Sequence, residues 1–215
     1  MTDSTPTPPP PPAPPPTPPG GSGSGDMYPV GLELERGLEI ANWRPLVNWL
    51  LAFPQWIVLY FLGIAAGVLW IISFFVILFT KRNPFVGFQT MYLRYQWRVS
   101  SFVLFMRDEY PPFEFETTPM DPGTDPSRVS VKDPGEMNRW LIFVKWLLAI
   151  PHLIVLAILG IGVFFVAIIA FFAVLFTGKW PEGMHKFVVG YSRWTTRVHA
   201  YLYFLTDVYP PFSLE

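Results

Sequence analysis

From Leu46 to Phe79 the chain carries no ionised side chain, and the same pattern returns 97 residues later, interrupted only by Lys145 and His152 near its start. At about 1.5 Å per residue, either stretch is longer than the roughly 30 Å hydrocarbon core of a bilayer. The two stretches match residue by residue. Trp43 falls on Trp140, Trp49 on Trp146, the run Leu50 to Pro54 on Leu147 to Pro151, Gly63 on Gly160, and Phe79-Thr80 on Phe176-Thr177. After a two-residue insertion the shift becomes 99. Tyr92, Arg94, Arg98 and Val99 then meet Tyr191, Arg193, Arg197 and Val198, and Asp108-x-Tyr110-Pro111-Pro112-Phe113 meets Asp207-x-Tyr209-Pro210-Pro211-Phe212. A repeat of this kind fixes the architecture before any element is assigned.

Each copy opens on a period-2 segment, Leu32-x-Leu34 or Val129-x-Val131, as a half-buried strand requires. Each closes on Phe113-x-Phe115 or Phe212-x-Leu214 after Tyr-Pro-Pro, which cannot continue a helix. Four short strands in one small sheet outside the membrane are expected, with both ends of each repeat on the same face. Pro54 and Pro151 interrupt the apolar runs after about a third of their length. They predict interfacial helices over Trp43 to Phe53 and Trp140 to Ile150, where Trp49, Trp146, Arg44 and Lys145 suit the headgroup level. Bent spans follow from about Gln55 and His152. A hairpin turning near Gly63 and Gly160 ranks second, because it would leave backbone groups unpaired in lipid. The spacing Gly63-x-x-x-Gly67 instead predicts close helix packing, although the second copy has Phe164 in place of Gly67.

Beyond Lys81-Arg82-Asn83-Pro84 and Gly178-Lys179-Trp180-Pro181 a second helix is expected in each copy. In the later copy Phe187, Tyr191, Trp194, Val198, Tyr201 and Leu205 form an apolar stripe, with Lys186, Arg193 and Arg197 elsewhere on the helix. Such a helix either spans beside its predecessor or lies flat on anionic headgroups. The turns and second helices are basic, with only Glu182 opposing, and the strand-bearing segments hold Glu33, Glu35, Glu114, Glu116, Asp121 and Asp125. Retention of Lys and Arg on the inner side makes the basic turns cytoplasmic in a multi-pass plasma-membrane protein.

The fold class expected is thus an all-α integral membrane protein with short extramembrane β-strands, in two tandem repeats. Each repeat reads strand, interfacial helix, Pro-bent transmembrane helix, amphipathic Arg-bearing helix, strand. The divisions are a disordered Pro/Gly-rich tail (1–27), repeat one (28–116), a linker (117–126) and repeat two (127–215). The tail reads as a spacer or as a ligand for a proline-recognising protein partner. A net charge of -1 disfavours nucleic acid, and the absence of cysteine removes thiolate chemistry and disulfides. No cofactor or metal is called for.

The run Ile150-Pro151-His152, then Leu175-Phe176-Thr177-Gly178-x-x-Pro181, Arg193-Trp194-x-x-Arg197-Val198-x-Ala200-Tyr201 and Leu205-Thr206-Asp207-x-Tyr209-Pro210-Pro211-Phe212-Ser213-Leu214 resembles the bacterial family known as domain of unknown function 4389. The resemblance covers roughly Tyr28 to Glu215, with Gln55 for His152 and Lys81 for Gly178 as departures in the first copy. It implies an actinobacterial-type membrane protein and supplies no mechanism.

The candidate site residues are the pairs Arg94/Arg98 and Arg193/Arg197, since an ionised group at membrane depth needs a partner, a cavity or a headgroup. One reading has them clamp an anionic lipid phosphate. The other has them snorkel, or bond carbonyls or Asp108 and Asp207 across the repeats. His152 reads as an anchor ahead of a proton relay. Trp49, Trp146, Pro54, Pro151, Gly63 and Gly160 read as structural. With no nucleophile, base and orienting group in register, a non-enzymatic scaffold or accessory protein is expected first, with homo-oligomers allowed. A small transporter or channel component comes second, and an enzyme acting on lipids or envelope precursors third.

Overall fold

Residues such as Leu, Ile, Phe and Ala filling every turn between Phe53 and Thr80, with no charge to orient one side, give a helix apolar all round. The computed structural model describes residues 28–35 and 37–215; the proline-rich tail, 1–27, and Arg36 lie outside the described residues. In chain order the elements are β1 (Val30–Leu34), α1 (Arg44–Leu51), α2 (Phe53–Thr80), α3 (Val86–Val103), β2 (Ser127–Val131), a 3-10 turn over Leu141–Phe143, α4 (Lys145–Thr177) and α5 (Glu182–Leu202). The chain is mostly helical, and α2 and α4 are both long and apolar enough to cross a membrane.

Pro54 sits in the first turn of α2, where its missing N–H is no loss, and α1 is a separate helix ending at Leu51. The second copy departs from the expected interfacial helix. A 3-10 turn replaces α1, and α4 runs unbroken through Pro151. Lys145, placed by sequence at the headgroup level, instead turns inward to Asp207 at 2.8 Å and to the Thr206 carbonyl at 2.6 Å. Gly63 and Gly160 admit a tyrosine side chain: a Cβ there would come within 3.2 Å of the Tyr92 hydroxyl and 3.1 Å of the Tyr191 hydroxyl. Gly67 faces open space, so its spacing from Gly63 is not a helix contact.

The expected four-stranded sheet is a two-stranded antiparallel one among the described residues, pairing Val30 with Val131 through Leu34 with Ser127. Phe113 to Phe115 and Phe212 to Leu214 are not strands. Side chains bond carbonyls at or beside them: Pro111 O, just before the first segment, accepts from Gln55, and Leu214 O accepts from Arg193.

The repeats are crossed. Arg94 Nε, at the middle of α3, donates to Val129 O of the second copy's strand, and its counterpart Arg193 donates to Leu32 O of the first copy's strand, each at 3.2 Å. Ile40 N–H bonds the Gly178 carbonyl and Met137 N–H bonds the Lys81 carbonyl, so each opening segment ends on the other copy's turn. Phe105 and Phe204, both left-handed with φ 44 and 60, close α3 and α5. The carbonyl of Phe105 accepts from Trp180, and that of Phe204 from Asn83, again across the copies.

This crossing sets the helix directions. The C-terminal part of α2 lies at the start of α4, through Phe74 against Phe143, and Asn42, before α1, reaches Leu175 at the end of α4. Thus α2 and α4 run antiparallel, and the two basic turns lie at opposite ends, not together as expected. Three layers result. α2 packs on α3 and α4 on α5, while β2 lies on α3 and β1 on α5. The sheet therefore flanks the second helices and does not cap one end of a bundle.

Lys81 and Gly178 occupy the same left-handed position after α2 and α4, with φ 58 and 67. A Cβ costs about 1–2 kcal/mol in this conformation, so Lys81→Gly is expected to stabilise the protein by about 1 kcal/mol. Gly178→Ala, whose Cβ would also meet Asn42 Oδ1 at 2.9 Å, is expected to destabilise it. Thermal unfolding in detergent should move the two midpoints in opposite directions.

Candidate functional site

Arg94 and Arg98 are one turn apart on α3 and fully enclosed, at 3% and 1% exposure. Burial of a guanidinium demands partners on all its donors. Arg94 meets Asp121 Oδ2 at 2.9 Å and the carbonyls of Glu116, Thr118 and Met120 at 3.3, 3.0 and 3.0 Å. Arg98 donates to Glu114 at 2.9 Å, with Asp125 at 3.8 Å and Asp121 at 4.0 Å. Beside them Arg107 forks onto both oxygens of Asp125, at 2.5 and 2.7 Å. Three arginines thus face Glu114, Asp121 and Asp125 in a charge-balanced cluster between α3 and β2.

Asp108 and Asp207 serve elsewhere. Asp108 accepts from the Ala41 N–H and pairs with Arg44 at 3.3 Å; Asp207 accepts from the Asn138 N–H and pairs with Lys145. They tie the start of each repeat to its own end. The acids facing the first arginine pair are Glu114 and two from the linker, Asp121 and Asp125, which the sequence shows as an Asp-Pro-Gly-x-Asp-Pro turn. Asp121 caps the Gly123 N–H and Asp125 caps the Ser127 N–H, as turn-forming aspartates do. That signal predicts the turn but not the arginines across from it. Arg107, outside the repeated pairs, had no signal.

The second pair lacks acidic partners among the described residues. Arg193 donates to Leu32 O and, at 3.4 Å, to Leu214 O. Arg197 lies over the Tyr28 ring at 5.7 Å, and its Nε has no hydrogen-bond partner among the described residues. Arg193 also lines an open groove of about 900 Å³ with His185, Lys186, Glu33, Glu35 and Glu215. A smaller cavity of about 210 Å³ lies between α3 and α5, lined among others by Gln96, Ser100, Thr195 and His199.

His152 is fully buried. Its Nδ1 accepts from Trp194 Nε1 at 3.0 Å, its ring stacks on Phe212 at 3.9 Å, and its Nε2 finds no partner among the described residues. The first copy has Gln55 here, bonded to the Tyr95 hydroxyl, so one cross-helix hydrogen bond survives with both partners exchanged.

The largest surface feature is apolar. In the most apolar 18-residue windows of α2 and α4 only 17% and 11% of residues are buried, whereas a soluble core helix would be mostly enclosed. The buried positions form one stripe on each helix, Gln55, Ala66, Ser73 and Ile77 on α2 and Ala149, His152, Leu156, Ala170 and Val174 on α4. Trp49 and Trp146 stand exposed near the start of this face.

The family model described as a domain of unknown function matches residues 42–114 and again 139–213. The chain belongs to this family, domain of unknown function 4389. The matched segments hold the helices of both copies and leave out β1 and β2. No curated protein and no solved structure matches the chain.

Two outcomes follow from the cluster. Asp125→Ala strands Arg107 and should cost about 3–5 kcal/mol, while replacing both partners, Arg107→Met with Asp125→Leu, should cost less. Chemical unfolding of the three proteins checks that order. The Thr124 hydroxyl and then Arg98 hold the Glu114 carboxyl below its ordinary 4.5. Its contribution is therefore complete above that value and lost as pH falls through the lower, folded value. Glu114→Gln should flatten the stability loss seen on acidification below about pH 4.5, read as unfolding midpoint against pH.

Proposed function

We propose that the protein is a membrane-seated, non-enzymatic scaffold. Its α2 and α4 face rests in lipid, the second arginine pair meets anionic headgroups, and the polar sheet face, with the proline-rich tail, is free for a protein partner. The observation that carries this reading is the one-sided burial of two uncharged helices. An apolar surface of that extent is a site of association and not a solvated wall. A multi-pass seat in the plasma membrane and an in-plane seat both bury it. The arginine assignment rests on the contrast between the copies. Glu114, Asp121 and Asp125 neutralise the first cluster, and no acid pairs directly with Arg193 or Arg197 among the described residues.

A second reading, a small transporter component, is favoured by the cavity, mostly apolar with a few polar side chains, between two repeat-related helices. Solute flux in vesicles containing only this chain would favour it over scaffolding.

For the first reading, the purified protein should float with vesicles of neutral lipid and bind more tightly when anionic lipid is added. Arg197→Gln should remove part of that added affinity, about 1 kcal/mol or roughly fivefold. Equal affinity of the variant and parent for anionic vesicles would remove the arginines from the reading. A protein that stays in solution without detergent or lipid would end it.

A further inference from the structure

We infer that the protein lies within one leaflet, with α2 and α4 parallel to the membrane plane, and does not cross the bilayer. This rests on the lipid-seated reading above and adds the orientation. The reason is the layering. Besides the basic turns at the ends of the apolar helices, charge runs along their flank, on the second helices and on the sheet beyond them.

The depths can be followed from contacts. The Tyr92 hydroxyl sits at Gly63, ten residues into α2, or about 15 Å along its axis. If α2 stood upright, this level would be near the middle of a roughly 30 Å hydrocarbon core. Arg94 is on the next half turn of α3, and it holds Val129 at the centre of β2. The sheet would then be at mid-membrane, with Glu33 and Glu35 pointing outward into lipid and Arg128 beside them, bonded to Glu35 at 2.6 Å. Ionised groups facing hydrocarbon are the arrangement that membrane proteins avoid.

Laid flat, the same layers sort by polarity. The α2 and α4 layer, one helix or about 10 Å thick, fits within the roughly 15 Å of hydrocarbon in a single leaflet. The α3 and α5 layer falls at the headgroups, where Arg193 and Lys186 line an open groove. The sheet is then in water. The segment after Tyr110-Pro111-Pro112 marks the boundary: Phe113 and Phe115 are exposed beside the α2 side, with Phe115 against Tyr95, while Glu114 between them turns to Arg98 and Thr124. Both basic turns then share one aqueous side although they lie at opposite ends of the antiparallel pair.

The occupant of the apolar face is therefore one leaflet of phospholipid. A second copy of the chain, face to face, is the competing occupant and would give a lipid-free soluble dimer.

The chain has no cysteine, so labels can be placed at will. Arg82 and Lys179 are exposed in the two turns. The double variant Arg82→Cys/Lys179→Cys is reconstituted into sealed phosphatidylcholine–phosphatidylglycerol vesicles and treated outside with a membrane-impermeant maleimide. Intact mass then counts labels per molecule, whichever way each molecule was inserted. An in-plane protein carries two labels or none. One label per molecule, with two only after detergent, would overturn the inference and establish crossing. A Glu33→Cys/Lys179→Cys protein gives an independent count, again two or none, because the sheet and turn share the aqueous side; molecules labelled at one of these two thiols, with the other reacting only after detergent, would also overturn it. Failure to float with vesicles, or a soluble dimer, would instead sink the lipid-seated reading itself.

Discussion

The fold depends on two guanidinium-to-carbonyl bonds that cross between the repeats. Arg94 of the first copy holds the strand that opens the second, and Arg193 of the second holds the strand that opens the first. Each of these two arginines reaches past its own copy's strand to the other's. The same exchange recurs at the turns, at Ile40 with Gly178 and Met137 with Lys81, and at the two left-handed phenylalanines. Duplication here has produced one interlocked unit and not two beads on a string. The linker contributes too, because Asp121 and Asp125 sit inside the first arginine cluster.

From that crossing the polarity of the molecule follows. Strands laid on the outer faces of α3 and α5 leave α2 and α4 to cover only the opposite faces, each with a single buried stripe. The polar cluster is therefore remote from the apolar face by a full helix layer. An arginine that looks from sequence like a charge at membrane depth becomes the bolt between a helix layer and a sheet. The contrast between copies then acquires functional weight: the first arginine pair is matched by acids, and the second has no acidic partner among the described residues.

The repeat, the two apolar helices, the turns after Thr80 and Thr177 and the opening strands were legible because each rests on local pattern or self-comparison. What failed needed tertiary information. Phe113-x-Phe115 alternates as a strand does, yet it pairs with no strand, and Glu114 within it is held by the Arg98 and Thr124 side chains; alternation records which sides are wet, not what the segment bonds. Pro151 read as a break because proline removes a helix hydrogen bond, but α4 tolerates the loss over a long, packed helix. The arginine pairs stand out in the sequence as positions that need partners. Their hydrogen-bond partners, 16 to 161 residues away, left no trace at fixed spacing.

The crossed packing is tested most directly by disulfide trapping in the membrane-bound chain. Glu39 and Lys179 face each other across an antiparallel bridge between the copies, with their side chains paired at 3.1 Å. Glu39→Cys with Lys179→Cys should close on mild oxidation, and Glu39→Cys with Arg82→Cys, the same position in its own copy, should stay open. Closure of the second pair in place of the first would show that each repeat folds on itself and would contradict the account.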